Sequence, residues 1–249
     1  MGLRSRIHDE LVRSRTLAKL RRFSESDDPH VANQRPGLSE DGWRAIEAEV
    51  LERLDGSPSD VVLEIGCGVG LIGKALAPRV SRYLGFDMVR ELVSKARRQG
   101  ATPNCHFIQA DGGAIPLRDR SIDRVVFYGV IIYLPPAVLR GILAEAARVL
   151  KPGGGMLLGD IPDPGCAKAF LNDDALASGL GLELRQRKLR LKKWLTKRLN
   201  LPGSGWYSPS EIRRMLADAG FEVEIRRQGA SLPYQHYRYD ALCTKPAAR

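Results

Sequence analysis

VLEIGCGVGLIG, residues 62–73, holds two overlapping glycine patterns, and the choice between them decides what kind of loop the chain carries. Counted from Gly68 it is Gly-x-Gly-x-x-Gly (Gly68, Gly70, Gly73), the fingerprint of a dinucleotide-binding turn. Counted from Glu64 it is Glu-x-Gly-x-Gly-x-Gly, a different loop. The apolar run Val61 to Ile65 predicts a strand, and Gly66 is the first residue after it, so a turn opening at Gly68 starts late.

Strand-like and helix-like stretches alternate from Val61 onward. The strand candidates are Val61 to Ile65, Arg82 to Phe86, Cys105 to Gln109, Ile122 to Tyr128 and Gly155 to Gly159, with helical patterns at Leu71 to Ala77, Val89 to Gln99 and Ala137 to Leu150. The link after the third strand is short and carries no assignable helix. Such alternation predicts a parallel sheet covered on both faces. After Asp160 comes a long interruption, then a helix over Ser208 to Ala219, with Ser208 and Glu211 spaced as a capping box. Two last strands, Phe221 to Arg227 and Tyr237 to Thr244, are joined by a loop too short for a crossover and must pair antiparallel. The expected fold is therefore α/β: a Rossmann-like, doubly wound, seven-stranded sheet, mostly parallel, with an antiparallel C-terminal pair.

Ahead of the sheet, residues 1–22 space Leu3, Ile7 and Leu11 for a basic amphipathic helix. Residues 24–39, with Pro29, Pro36 and Gly37, read as a loop or ordered arm. Ser39 and Asp41 then open a helix carrying Trp43, Ile46, Val50, Leu51 and Leu54. The expected organisation is a helical arm and cap over 1–56, a main domain over 57–249, and a lid insertion at 161–205 after the fifth strand.

Composition narrows the class. The four cysteines are scattered, with neither a Cys-x-x-Cys pair nor clustered histidines, which argues against a zinc site and a disulfide framework. No apolar run approaches the ~20 residues that span a bilayer, and Arg6 breaks the myristoylation pattern of Met1-Gly2. A soluble, cytoplasmic protein is expected. The formal charge of +10 attracts acidic partners, although basic composition is also common in soluble enzymes.

Of two acids at later strand ends, one chooses between the glycine patterns. Asp87, in YLGFDM, sits where a carboxylate accepts from ribose hydroxyls in either class. Asp111, in FIQADGGAIPL, follows the third strand, and a dinucleotide site gives it no role. The ordered pieces VLEIGCGVG, YLGFDM, FIQADGGAIPLRDRSIDRVVFYGVIIYL, AEAARVLKPGGGMLLGD and YSPSEIRRMLADAGFEVE resemble the class I S-adenosylmethionine-dependent methyltransferases, from about Val61 to about Thr244. The resemblance implies S-adenosyl-L-methionine as cofactor. It places Glu64, Gly66, Cys67, Gly68 and Gly70 around the methionine part, Asp87 on the ribose, Met88 against the adenine, Asp111 and Gly112 at the adenine edge, and the Tyr128 carbonyl near the adenine amino group. Gly73 is then a packing position for the helix on its strand.

A sulfonium methyl is already activated, so in-line transfer asks the protein mainly for alignment and desolvation, plus a general base when the acceptor is an alcohol. The candidate bases are His236 first, with Tyr133, Asp160 and His30 behind it. The stretch GLELRQRKLRLKKWLTKRLNLPGSGWY places Leu191, Trp194, Leu195 and Leu199 on one helical face while Arg187, Lys188, Arg190, Lys192, Lys193 and Lys197 supply charge, a basic amphipathic helix that suits a lid and over 185–200 also suits an anionic membrane surface. Tyr128-Gly129-Val130-Ile131 stands where base-modifying enzymes carry an Asn/Asp/Ser-Pro-Pro-Tyr/Phe motif, and no added nucleic-acid domain is evident. The expected acceptor is a small molecule with a hydroxyl group, of anionic, glycosylated or lipid-linked character. The competing readings are an RNA methyltransferase and a non-catalytic cofactor-binding module.

Overall fold

The computed structural model describes residues 17–33, 35, 38–99, 102–166 and 205–247. Seven strands form one sheet in the order β3-β2-β1-β4-β5-β7-β6. They are β1 Val61–Ile65, β2 Arg82–Asp87, β3 Cys105–Gln109, β4 Ile122–Tyr128, β5 Leu150–Pro162, β6 Glu222–Arg227 and β7 Arg238–Thr244. The β1–β2, β1–β4, β2–β3 and β4–β5 pairs are parallel, whereas β7 lies antiparallel between β5 and β6. Chain order reverses between β1 and β4, and the loop after β1 opens at that switch point.

The expected helices form within a residue or two of their sequence limits. They are α1 Glu40–Leu54, α2 Leu71–Leu76, α3 Arg90–Arg98, α4 Pro136–Val149 and α5 Pro209–Asp218. Ser39 caps α1 by accepting from Gly42 N at 3.1 Å, and Asp55 ends it in the left-handed conformation. The Ser208–Glu211 capping box of α5 is formed on both sides. No helix separates β3 from β4.

Burial divides between the two faces of the sheet. α4 buries Leu139, Ile142, Leu143, Ala146 and Val149, a three-and-four spacing, against Leu63, Val125, Phe127 and Leu158. On the other face, Trp43, Ile46, Val50 and Leu54 of α1 join Val62, Val126 and Leu157 in a second cluster. Each Val, Leu, Ile or Phe side chain among these, removed from water, contributes about 1.5–3 kcal/mol. The α1 face is thus continuous with the sheet's core.

Two expectations change. The stretch read as a loop or ordered arm carries a helical turn over Pro29–Ala32, capped by Asp28, after a helix over residues 17–24. β5 extends well beyond Gly155–Gly159 because it pairs on both edges. Its register with β7 breaks between Leu158 and Ile161, where Asp160 takes a φ of 62°, an irregularity that turns one residue out of the ladder's alternation. Most of the 1–22 helix and of the 161–205 insertion, including the basic stretch 185–200, lies outside the described residues.

Candidate active site

At the carboxyl ends of the parallel strands a cavity is lined by Glu64, Gly66, Cys67, Gly68, Asp87, Met88, Asp111, Gly112 and Tyr128. Ten positions were expected around a cofactor, and the tenth, Gly70, stands apart from this lining. Its φ of 80° makes the turn into α2, where a Cβ would come 2.5 Å from Phe107 Cζ, so it serves packing and turn geometry. Gly73 does what was expected of it: a Cβ there would meet the Tyr83 ring at 2.7 Å. Gly66 and Gly68 have φ of 78° and 54°, and side chains on them would collide with Val130 and Asn33. The loop therefore presents bare backbone to the cavity, as close approach of a ligand requires.

The acids at this end are held firmly. Asp87 is buried and accepts from Gly68 N at 3.0 Å and Val89 N at 2.9 Å, tying the end of β2 to the glycine loop. Burial raises its pKa, and those backbone donors act against the rise. Glu64 is also buried and accepts from the Tyr83 hydroxyl, a partner that no local pattern marks. Burial pushes its pKa to about 8, helped by the neighbouring charge of Asp87 and opposed by the Tyr83 hydrogen bond. Asp111 accepts from Gly113 N at 2.9 Å in the turn after β3.

A different group comes from ahead of the sheet. Asn33, Arg35 and Trp43 reach the cavity from the N-terminal arm and α1, together with Leu17 and Leu20. Asn33 accepts from Val69 N at 3.1 Å, which fastens the arm to the glycine loop. Arg35 donates to Asp160 at 2.5 Å. Nothing local in the sequence marks Asn33 or Arg35, since their partners lie far along the chain.

The candidate bases separate. Tyr133 lines the cavity, and burial raises its pKa although Arg35 and Arg238 pull the other way. Asp160 is buried, and its carboxylate is committed to two arginines, Arg35 and Arg238. His236 is exposed on the β6–β7 loop and does not line the cavity. His30 stands 3.6 Å from Glu40 and beside Trp43, outside the lining. Of the four, the fold brings only Tyr133 to the cavity.

Residues 62–154 match the methyltransferase domain family. Methyltransferase GfsG of Streptomyces halstedii is 34% identical over 129 residues, 50% of this chain and 45% of that protein. The malonyl-acyl-carrier protein O-methyltransferase of Marinomonas sp. (strain MWYL1) is 33% identical over 130 residues, 48% of this chain and 46% of that protein. The chain thus spans less than half the length of these curated relatives. Among solved structures, phosphoethanolamine N-methyltransferase 1 of Haemonchus contortus, in complex with phosphoethanolamine and S-adenosylhomocysteine, superimposes with a TM-score of 0.71 at 16% identity, over 100% of this chain and 52% of that one.

Proposed function

We propose that this chain, a class I S-adenosylmethionine-dependent methyltransferase by domain family and fold, transfers the cofactor's methyl group to an oxygen of a small-molecule acceptor. The observation that carries the reading is the cavity itself: three strand-end acids and a bare glycine loop at one end, with an apolar and aromatic wall leading to Arg35 and Tyr133 at the other.

The residues present fit S-adenosylmethionine. Asp87, beside the loop, can accept from ribose hydroxyls, and the Asp111–Gly112 turn faces an adenine edge. Glu64 is the buried acid closest in sequence to the glycine loop and suits the cationic amino group of the methionine part. When bound, the cofactor supplies an electrophilic methyl on a sulfonium. The chain's own task is to align the acceptor oxygen behind that methyl and to keep water out, and Leu17, Leu20 and Trp43 roof the cavity for that purpose. Tyr133 is the cavity hydroxyl placed to hydrogen-bond an acceptor oxygen.

Oxygen is proposed because one curated relative is an O-methyltransferase by name. Calorimetry with S-adenosylmethionine, followed by incubation of a metabolite extract with methyl-labelled cofactor, tests the proposal. Saturable binding and label in a small organic product are expected. Absence of binding overturns the reading, label in RNA redirects it to nucleic acid, and binding without transfer to any fraction leaves a cofactor-binding module.

A further inference from the structure

We propose that the Arg35 end of the cavity is an acceptor subsite for an oxyanion, the carboxylate or phosphate of an amphipathic acid, with Arg35 as the group that pairs with it. This rests on the methyl-transfer reading above, which assigns the opposite end to the cofactor.

Arg35 lines the cavity, and its guanidinium lies against Gly129 just past the end of β4, where a Cβ would come 2.8 Å from Nη2. The ring of Tyr128 is 5.9 Å from its Cζ and that of Tyr234 is 5.8 Å. Among the described residues its guanidinium donates to Asp160. That same carboxylate oxygen also takes a bond from Arg238, whose guanidinium stacks 4.8 Å from the Tyr234 ring. Two guanidinium groups therefore share one acidic oxygen, and the Arg35–Asp160–Arg238 cluster carries one net positive charge. Arg238 Nε is buried with no partner, so the cluster holds more donors than acceptors.

The charges behind this cluster do not reverse it. Asp240 pairs with Arg53, and Arg53 with Glu49; like Asp160 and Arg238 these three stand behind the lining, which Arg35 itself reaches. The nearer charge dominates what a ligand in the cavity meets. Tyr133 adds a hydroxyl that burial keeps protonated and able to donate.

Charge runs oppositely along the cavity. Glu64, Asp87 and Asp111 occupy one end and Arg35 the other, with apolar Leu134, Pro135 and Val138 along the wall. A ligand with an acidic head and an apolar body is repelled from the first end and held at the second. A guanidinium fork suits a planar carboxylate or a phosphate through paired donors, which a neutral alcohol cannot match.

The test is titration of the S-adenosylhomocysteine-saturated full chain with hexanoate, hexyl phosphate and 1-hexanol, three probes of similar body and different head. At least one acid is expected to saturate the site at least tenfold more tightly than hexanol, and the preferred acid tells carboxylate from phosphate. Arg35→Gln should weaken the acids at least tenfold and leave hexanol unchanged, with Arg35→Lys recovering part of the loss. Tyr133→Phe should weaken the acids severalfold. S-adenosylhomocysteine affinity within about threefold of wild type certifies that each variant is folded, since that site lies at the other end. Hexanol binding as tightly as both acids, no saturation by either acid, or an Arg35→Gln protein that binds them normally would each overturn the subsite. Failure of the wild-type chain to bind S-adenosylhomocysteine would instead overturn the methyl-transfer reading from which the inference starts.

Discussion

At the acid-lined end of the cavity, Glu64, Asp87 and Asp111 each stand within or just past a strand of the sheet. At the other end, Arg35 meets Asp160 across 125 positions and Arg238 meets it across 78. The first end is fixed by the register of parallel strands, so its geometry survives as long as the sheet does. The second is assembled by docking an N-terminal arm against β5 and β7, and it depends on every element that holds those parts together. Damage at the first end should therefore appear in cofactor affinity, and damage at the second in acceptor binding and turnover.

Gly66→Val attacks the strand-fixed end most directly. The left-handed backbone costs a β-carbon residue about 1–2 kcal/mol and the collision with Val130 about 1–3 more. Cofactor affinity should fall by ~100-fold or more, since each 1.4 kcal/mol is tenfold. Calorimetry alongside thermal denaturation would reveal this, and near-normal binding would mean that the loop does not approach the ligand.

Asp87→Ala comes next. It leaves the Gly68 and Val89 amides without their acceptor, at about 1–3 kcal/mol for each group that stays buried, and it removes the acid placed for the ribose. A loss of about 10- to 100-fold in S-adenosylmethionine affinity is expected. An unchanged affinity would break the assignment of this end to the cofactor.

Glu64 supplies a pH dependence. Its pKa of about 8 in the cofactor-free fold exceeds the ordinary value of 4.5, so between those limits the folded chain binds more protons than the unfolded one. Its contribution to stability is then largest at the acid end of that window and is lost as pH rises toward 8. A cationic amino group beside Glu64 favours the carboxylate, so cofactor binding near pH 7 should release a proton. Binding enthalpy should vary with the ionisation enthalpy of the buffer, and affinity should climb between pH 6 and 8. Glu64→Gln should flatten both; a persistent slope would place the titrating group elsewhere.

The smallest effects should mark the boundary between the two ends. Asn33→Ala removes the bond from the arm to Val69 N, worth about 0.5–1.5 kcal/mol, and should raise the cofactor dissociation rate severalfold. His236→Ala should change turnover by less than about twofold, as a surface substitution away from the cavity does. A large loss would return His236 to the reaction and require the β6–β7 loop to close over the cavity.

The residues themselves determined the sheet. Alternating apolar runs set β1 to β4 almost to the residue, the short final connection required an antiparallel pair, and acids at or just past the ends of three successive strands marked one end of the cavity. Each of those features is local: a strand's periodicity and the residue at its end are neighbours in sequence as well as in space. Only the tertiary structure decided which candidate base reaches the cavity. Asp160 and His236 were attractive by residue type and chain position, but the first is consumed by two arginines and the second faces water. It also decided that Gly70 packs against Phe107 while Asn33 and Arg35 line the cavity, and that Tyr83 holds Glu64. These are pairings between side chains brought together by packing, and composition, periodicity and spacing carry no term for a contact made across the fold.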